Sequence, residues 1–216
     1  TLVFMGLTGG LLVKDIDRPD RFLYVLLRPQ WKSWLVRGAY IITGFGGLVS
    51  LKLLDNYLQL GFDWLWIPGL VFAGLGAVYT AFLFNQARAR DLWQTPIQSA
   101  IHMLVHAIMA GSVVMIIIAP ESSQWMANIL LWGIVANVVI IAKEILLPHD
   151  TPDTKKAIHL MTKGYYSKYF WAGIVMGSLI PLVVLNAFPS MSLIAGSLAL
   201  VGIYLTEFVR IRVPQM

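Results

Sequence analysis

The chain has 216 residues, of which 58% are hydrophobic and only 12% are charged, about half the charged fraction of an ordinary soluble domain. With a mean hydropathy of +0.73, this composition excludes a soluble enzyme and a disordered tail. The formal net charge is +5, but the basic residues lie between apolar runs, which excludes a nucleic-acid-binding domain and favours membrane topology. The lack of cysteine excludes disulfides, zinc–thiolate sites and cysteine-ligated iron–sulfur clusters within the chain.

Apolar runs of roughly 20 residues, the length that spans a bilayer as a helix, follow one another along the chain. They predict an all-α fold: a single polytopic transmembrane helix bundle of six complete helices, preceded by the tail of a seventh at Thr1–Val13. We expect an N-terminal helix or helices to be missing, because the chain begins inside an apolar run without an initiator Met, and we expect no signal peptide. The six runs are Trp34–Leu54, Trp64–Phe84, Ile97–Ala119, Trp125–Leu147, Tyr169–Phe188 and Met191–Val209.

The basic residues orient this predicted bundle. The loops after the first, third and fifth of the seven runs, together with the C-terminus, share one side of the membrane, here called side X; the opposite side is Y. All but one of the 16 Lys and Arg residues fall on side X, and only Lys52 lies toward Y. Taken alone, the positive-inside rule makes X the cytoplasm. The X loops Asp15–Ser33, Asn85–Pro96 and Pro148–Lys168 are long and suit a docking partner, with plain solvated loops as the alternative.

Polar side chains inside the predicted spans are costly in hydrocarbon and therefore mark candidate sites. They concentrate toward X. At 1.5 Å per residue, Tyr79 lies about 8 Å from the X end of its span, His102 about 9 Å and His106 about 15 Å. The i,i+4 spacing places both histidines on one helix face. Glu144 lies one turn inside the X end of the next span, with Asn137 about 10 Å deeper. This asymmetry predicts a site that opens toward X at a depth of ~8–10 Å.

Each of these residues also has a purely structural interpretation. The tyrosines suit an interfacial aromatic belt, the histidines suit hydrogen bonds between helices, and the glutamates suit side chains that snorkel to the X surface. A haem between helices generally takes one histidine from each of two helices, whereas here both membrane histidines share one span. Gly173 and Gly177 predict close helix packing rather than a nucleotide-binding loop, since no strand precedes them. The residues open to structural interpretations are Tyr40, Tyr79, Tyr204, His102, His106, Glu144 and Glu207.

Three stretches, in order and suitably spaced, resemble the NrfD/polysulfide-reductase-C (PsrC) family of quinone-interacting integral membrane subunits. The resemblance runs from residue 1 to about residue 181 and is weaker in the last span. The family has eight or more helices, so the six complete spans would be its third to eighth. The stretches are Asp15-Ile-Asp-Arg18-Pro19, like the family's D-x-x-R-P signature; Tyr79 to Trp93 with Gln86, Arg90 and Asp91, like the end of its fourth helix and the following loop; and Glu144 through Pro148-His149 and Gly164-Tyr165 to Phe170-Trp171, like its later helices.

The resemblance implies a membrane-anchoring, quinone-binding subunit of a multisubunit respiratory oxidoreductase in the bacterial cytoplasmic (inner) membrane. Its cofactor would be a quinone, menaquinone or ubiquinone, with no haem and no iron–sulfur cluster in this chain. Its partner would be a ferredoxin-like iron–sulfur subunit, often joined to a molybdopterin or cytochrome subunit that holds the substrate chemistry of the whole complex. No nucleic acid is expected as a partner.

Quinol oxidation releases two protons and two electrons, so the quinone oxygens need hydrogen-bond partners and titratable groups must pass the protons to water. Tyr79 matches the family's quinone-contacting tyrosine, and His102 and Glu144 are the candidate catalytic proton handlers. Asp15 and Arg18 either order the X mouth as a pair or form only a structural salt bridge. No metal ligands are expected. The remaining cofactor-binding candidates are Asp15, Arg18, Gln86, Arg90, Asp91 and His106.

Two other functions compete with a quinone subunit. In a proton-translocating or transporter-like subunit with no redox site of its own, the buried His and Glu residues would form a proton relay. The sequence shows no convincing internal repeat of the kind common in transporters, and His106 is the main polar residue near the midplane. A purely structural anchor would not require the X-side polar cluster.

The side that X faces is predicted differently by two arguments. The positive-inside rule places X in the cytoplasm. Several relatives place the iron–sulfur partner and the quinone mouth on the periplasmic side, which by the resemblance is also X. We therefore predict only that the quinone site and the partner share side X, whichever compartment X faces.

Overall fold

The computed structural model describes residues 2–14, 26–86, 91–93, 95–147 and 151–213. All regular structure in these ranges is helical, which confirms the predicted all-α fold, and six spans are long and apolar enough to cross a membrane. The chain divides into two compact units, Thr1–Gln86 and Ala87–Met216, which are described in turn. The helices are α1 (Leu2–Lys14), α2 (Trp34–Leu58), α3 (Trp66–Asn85), α4 (Pro96–Ile118), α5 (Ser123–Leu146), α6 (Pro152–Thr162), α7 (Ser167–Ala187) and α8 (Ser192–Arg212).

In the N-terminal unit, α2 and α3 pack against each other as an antiparallel pair. Two glycines of α2 make this close approach possible. A Cβ atom at Gly38 would overlap the ring of Tyr79, and one at Gly44 would overlap the ring of Phe72. Each aromatic ring therefore fills a notch that only glycine leaves open, which fixes the position of both α3 side chains relative to α2.

The Y end of this helix pair carries a compact charge cluster. Nζ of Lys52 lies 2.7 Å from Oδ2 of Asp55 and 3.5 Å from Oδ1 of Asp63. Asp55 is buried, and its Oδ1 also accepts a hydrogen bond from the backbone N–H of Phe62 at 2.9 Å. The one basic residue directed toward Y is thus held by local carboxylates, and Asp55 ties the end of α2 to the following turn.

In the C-terminal unit, α4, α5, α7 and α8 enclose an apolar core. Met109 of α4 packs against Gly133 of α5, where an added Cβ would lie 2.7 Å from its Cγ. Small residues on α8 complete the packing. The core residues are Met109, Val113, Ile116, Ala127, Leu130, Ile134, Leu185, Ala195 and Ala199.

Helix α7 approaches α8 through glycines and contains a widened π turn at Val175–Leu179. Pro181 follows directly; it has no N–H to offer the carbonyl of Gly177, and a widened turn accommodates its ring. Gly177 meets the backbone of Gly202, so a Cβ on either residue would overlap the other. Gly173 likewise packs against the α8 backbone. This confirms the prediction that the Gly173 and Gly177 pair serves close helix packing.

Helix α6 lies within the predicted loop Pro148–Lys168 and is a departure from the sequence prediction. Its start is well capped: the Thr151 hydroxyl accepts a hydrogen bond from the backbone N–H of Thr154 at 3.3 Å, and Pro152 occupies the first turn. It buries one short face that includes Met161. Helix α6 is too short and too polar to appear as one of the long apolar runs that predict membrane spans.

Candidate functional site

A buried cluster of polar side chains lies toward the X ends of α4, α5 and α8, all in the C-terminal unit. Five of its six members are buried, and the side chain of Glu207 is 17% exposed. Its members, here called the polar network, are His102 and His106 of α4, Asn137 and Glu144 of α5, and Glu207 and Arg210 of α8.

Arg210 is the centre of the polar network. Its Nη2 donates to Oε1 of Glu144 at 3.2 Å, and its Nη1 hydrogen-bonds Nδ1 of His102. The same Nη1 lies 3.6 Å from Oε1 of Glu207, and the guanidinium carbon lies 4.9 Å from the ring centroid of Trp93. The guanidinium thus connects three helices. It also satisfies at least one buried carboxylate, which would otherwise be very costly to dehydrate.

The two histidines converge on one amide oxygen. Nε2 of His102 lies 2.8 Å from Oδ1 of Asn137, and Nε2 of His106 lies 3.0 Å from the same atom. The hydrogen bonds between helices offered by the structural interpretation are therefore present. They leave the other nitrogen of His106 unused: Nδ1 lies 3.4 Å from Oε1 of Glu207, and in the described part of the chain both atoms are buried without a hydrogen-bond partner.

Three members of the polar network have the spacing of metal ligands. His102, His106 and Glu207 each bring one ligand atom within 4.8 Å of the others. Arg210, however, contacts two of these three groups, and its permanent positive charge repels a cation at that place. The arrangement is therefore better suited to exchanging protons than to holding a metal ion.

Tyr79 belongs to the N-terminal unit, whereas His102 and Glu144 belong to the C-terminal unit. The structure brings His102 and Glu144 together through Arg210. Tyr79 is 6% exposed, and its ring is held in the notch at Gly38. This burial distinguishes Tyr79 from an exposed tyrosine of an interfacial belt.

The other predicted cofactor-binding residues fall into three groups. Gln86, at the end of α3, binds the start of α2. Its Oε1 accepts a hydrogen bond from the backbone N–H of Trp34 at 2.9 Å, and its Nε2 donates to the carbonyl of Lys32 at 3.0 Å. This satisfies one N–H at the start of α2. Asp91 begins a short 3₁₀ turn that ends at Trp93. The predicted residues Asp15, Arg18 and Arg90 lie outside the described residues.

The family described as polysulphide reductase, NrfD, matches residues 1–215 of this chain. The chain belongs to the NrfD family. The match covers essentially the whole chain, including the last span, where the sequence resemblance is weaker. Comparison with curated proteins and comparison with solved structures each returned no match. Together with the six apolar spans, NrfD membership makes the chain a multi-pass integral membrane protein and supports an anchoring role in a redox complex.

Two residues of this NrfD network were given other roles by the sequence. Arg210 is one of the basic residues that the sequence predicts on side X, and Glu207 is open to a snorkelling interpretation. In the structure both side chains face the polar network. A signal for Arg210 does exist. The buried face of α8 is marked by small residues three to four apart, and Arg210 continues that spacing. The buried small residues with this spacing are Ala195, Ala199, Gly202 and Thr206.

Proposed function

We propose that this NrfD chain is the membrane-anchoring, quinone/quinol-binding subunit of a multisubunit respiratory oxidoreductase. It exchanges electrons between the quinone pool and an iron–sulfur partner subunit on side X. The observation that carries the proposal is the polar network, in which Arg210 links acid–base side chains of three helices near one membrane surface. A purely structural anchor would not require six buried polar side chains in one cluster, because each is costly in a dry environment.

The chemistry of the polar network fits the proton half of a quinone reaction. A bound quinone/quinol pair supplies two-electron, two-proton chemistry. Imidazole and carboxylate groups take up and release protons, and a tyrosine hydroxyl donates to a carbonyl oxygen or accepts from a hydroxyl. Within the described residues, Nδ1 of His106, Oε1 of Glu207 and Nε of Arg210 are buried without a hydrogen-bond partner. This spare hydrogen-bonding capacity supports a site that works on protons.

The proposal gives each residue a distinct role. The Tyr79 hydroxyl hydrogen-bonds a quinone oxygen, and Gly38 provides the notch that holds the tyrosine ring in place. His102 and Glu144 are the proton handlers, and each takes up a proton when its contact with Arg210 opens. Arg210 positions both and keeps the charge of the Glu144 carboxylate compensated. Because Glu144 lies near the X end of α5, it provides the outlet to water on that side.

The resemblance to NrfD subunits is what implies the iron–sulfur partner, and the lack of cysteine in this chain is compatible with it. With no cysteine in the sequence, any cluster that receives the electrons belongs to a neighbouring subunit. We place its docking surface on the X loops. Helix α6, which carries the exposed residues Lys155 and Lys156, belongs to the same surface.

A proton-translocating role without a redox site is the second candidate function. It is favoured by the inward extension of the polar network to His106, about 15 Å from the start of its span. In that case the same acid–base groups would line a proton path, and quinone would neither bind the chain nor react with the complex.

Quinol turnover by a Tyr79→Phe variant tests the proposal. The substitution removes one hydroxyl and leaves the ring in its notch, so assembly should be unchanged. Loss of a neutral hydrogen bond of about 0.5–1.5 kcal/mol lowers turnover roughly 3- to 10-fold. The measurement is quinol oxidation by the assembled complex in membranes, with Tyr204→Phe as control because Tyr204 is 69% exposed. Parental turnover in the Tyr79→Phe variant would remove this residue from the site.

A further inference from the structure

We infer that His106 and Glu207 together bind one exchangeable proton, which lies between Nδ1 of His106 and Oε1 of Glu207. The inference deepens the proposed function, on which its biological role rests, by naming a proton-binding pair at the inner end of the polar network. The hydrogen-bond donors and acceptors of the six side chains, taken contact by contact, determine which atoms carry a proton.

Arg210 fixes the protonation of His102. A guanidinium has only N–H donors, so Nδ1 of His102 must offer a lone pair to Nη1 of Arg210. A histidine with a lone pair on Nδ1 carries its proton on Nε2. His102 is therefore neutral and donates from Nε2 to Oδ1 of Asn137, 2.8 Å away. This also fixes which end of the Asn137 amide faces the histidines, since the NH₂ group would meet a second donor.

Asn137 then fixes one nitrogen of His106. Nε2 of His106 lies 3.0 Å from the same Oδ1 atom, which is an acceptor with two lone pairs. Nε2 of His106 must therefore be a donor. If His106 is neutral, its remaining nitrogen, Nδ1, is a bare lone pair.

That lone pair faces a carboxylate oxygen. Nδ1 of His106 lies 3.4 Å from Oε1 of Glu207, and neither atom has a hydrogen-bond partner among the described residues. Two buried acceptors in contact are each left unsatisfied, and each carries a cost in a dry interior. One proton removes the conflict in either position: a neutral Glu207 acid donates to the imidazole, or an imidazolium donates to the carboxylate.

Charge balance leads independently to the same proton. Arg210 and Glu144 form an ion pair at 3.2 Å, which leaves the polar network neutral if Glu207 is uncharged. An ionised Glu207 beside two neutral histidines would give the buried cluster a net charge of −1, which is costly to bury. One proton on the pair restores neutrality. Around the pair, the described structure places His102 on α4, Asn137 and Glu144 on α5, and Arg210 on α8.

The same geometry makes the proton exchangeable. When it leaves, the Glu207 carboxylate lies 3.6 Å from Nη1 of Arg210, so the guanidinium limits the cost of the deprotonated state. Under the proposed function, reduction of a quinone takes two electrons from the iron–sulfur partner and two protons from the site. The pair supplies one of those protons, and quinol oxidation returns it.

Solid-state NMR of the full chain in lipid bilayers, with ¹⁵N-labelled histidine at neutral pH, tests the pair directly. We expect His102 to be a neutral imidazole protonated at Nε2. We expect Nδ1 of His106 to be either protonated or strongly hydrogen-bonded, and to lose this signature on alkaline titration. The chain has four histidines, so His106→Gln, His149→Gln and His159→Gln together assign the signals and leave the remaining one to His102.

Glu207→Gln provides the matched variant. Its amide still donates to Nδ1 of His106 but has no titratable proton, so the His106 signal should shift and no longer titrate. A wild-type Nδ1 signal at the position of a free lone pair, unchanged by Glu207→Gln, overturns the inference. If this variant does not fold, the wild-type spectrum and its titration decide alone.

Quinone content measured on the same samples distinguishes failure of the proton-binding pair from failure of the proposed quinone function. A protonated pair without bound quinone keeps the proton site and rejects the proposed function. Bound quinone with a free Nδ1 lone pair keeps the proposed function and rejects the proton site.

Discussion

Replacing Arg210 with methionine should destabilise the C-terminal unit more than any other single change in the polar network. Methionine keeps much of the length but leaves Glu144 as a buried anion and His102 without the donor to its Nδ1. Removal of one partner from a buried ion pair costs about 3–5 kcal/mol. The assay is unfolding in mixed micelles of mild and denaturing detergent, followed by far-UV circular dichroism.

A second substitution separates the stranded charge from lost packing. Adding Glu144→Gln to Arg210→Met removes the buried anion and should recover about 1–3 kcal/mol, the coupling expected between side chains in one network. Arg212→Met is the matched control, because Arg212 is exposed and lies 5.7 Å from the Phe208 ring; it should cost no more than about 1 kcal/mol. The reasoning is wrong if Arg210→Met resembles Arg212→Met, or if the double variant is no more stable than Arg210→Met alone.

Three further predictions follow from the packing and the proposed docking surface. Gly38→Ala should displace the Tyr79 ring and lower quinol turnover about 3- to 10-fold, while Gly69→Ala, where a Cβ meets nothing within 4 Å, should leave the parental rate. Gly202→Ala should cost about 1–3 kcal/mol in the same unfolding assay, because its Cβ meets the Gly177 backbone; stability equal to the parent would contradict the helix contact. Crosslinks from the iron–sulfur partner should map to the X loops and α6, and a map confined to the Y turns would refute the docking surface.

The membrane spans were predictable because bilayer thickness imposes their length and apolarity. The predicted Ile97–Ala119 and the observed α4 differ by one residue at each end, and Trp34–Leu54 is four residues shorter than α2 at its C-terminal end. Hydropathy does not detect that extension, because its first residue is the charged Asp55, which is buried and pairs with Lys52 one turn earlier. Helix α6 was missed for a related reason: its stability comes from capping and one short buried face.

The candidate site was only partly predictable. His102 and Glu144 are recognisable in the sequence because a polar group is costly in hydrocarbon and is therefore rare inside a span. The i,i+4 spacing also predicted that His102 and His106 share a face, and both do contact Asn137. The role of Arg210 in the polar network was not predicted, because a charge near the end of a span is counted toward topology whichever way its side chain points. Its direction is set by the rotation of α8 against α7 at Gly202, which is a tertiary contact.

The roles of the polar residues also depend on contacts that the sequence does not specify. From sequence alone, Glu144 and Glu207 both lie near side X, and only Glu144 is a candidate proton handler. In the structure Glu144 hydrogen-bonds Arg210, whereas Glu207 faces the unpartnered Nδ1 of His106. Two chemically identical side chains thus acquire different protonation requirements from their neighbours.

Binding of quinone by the purified chain tests the central claim most directly. The chain is isolated in mild detergent without partner subunits, its organic extract is analysed for quinone, and the quinone-depleted protein is titrated with a short-chain ubiquinone and a short-chain menaquinone. We predict that quinone co-purifies with the chain or rebinds saturably, that Tyr79→Phe weakens binding, and that Glu144→Gln retains it. An extract free of quinone, together with no saturable binding of either analogue, would contradict the account.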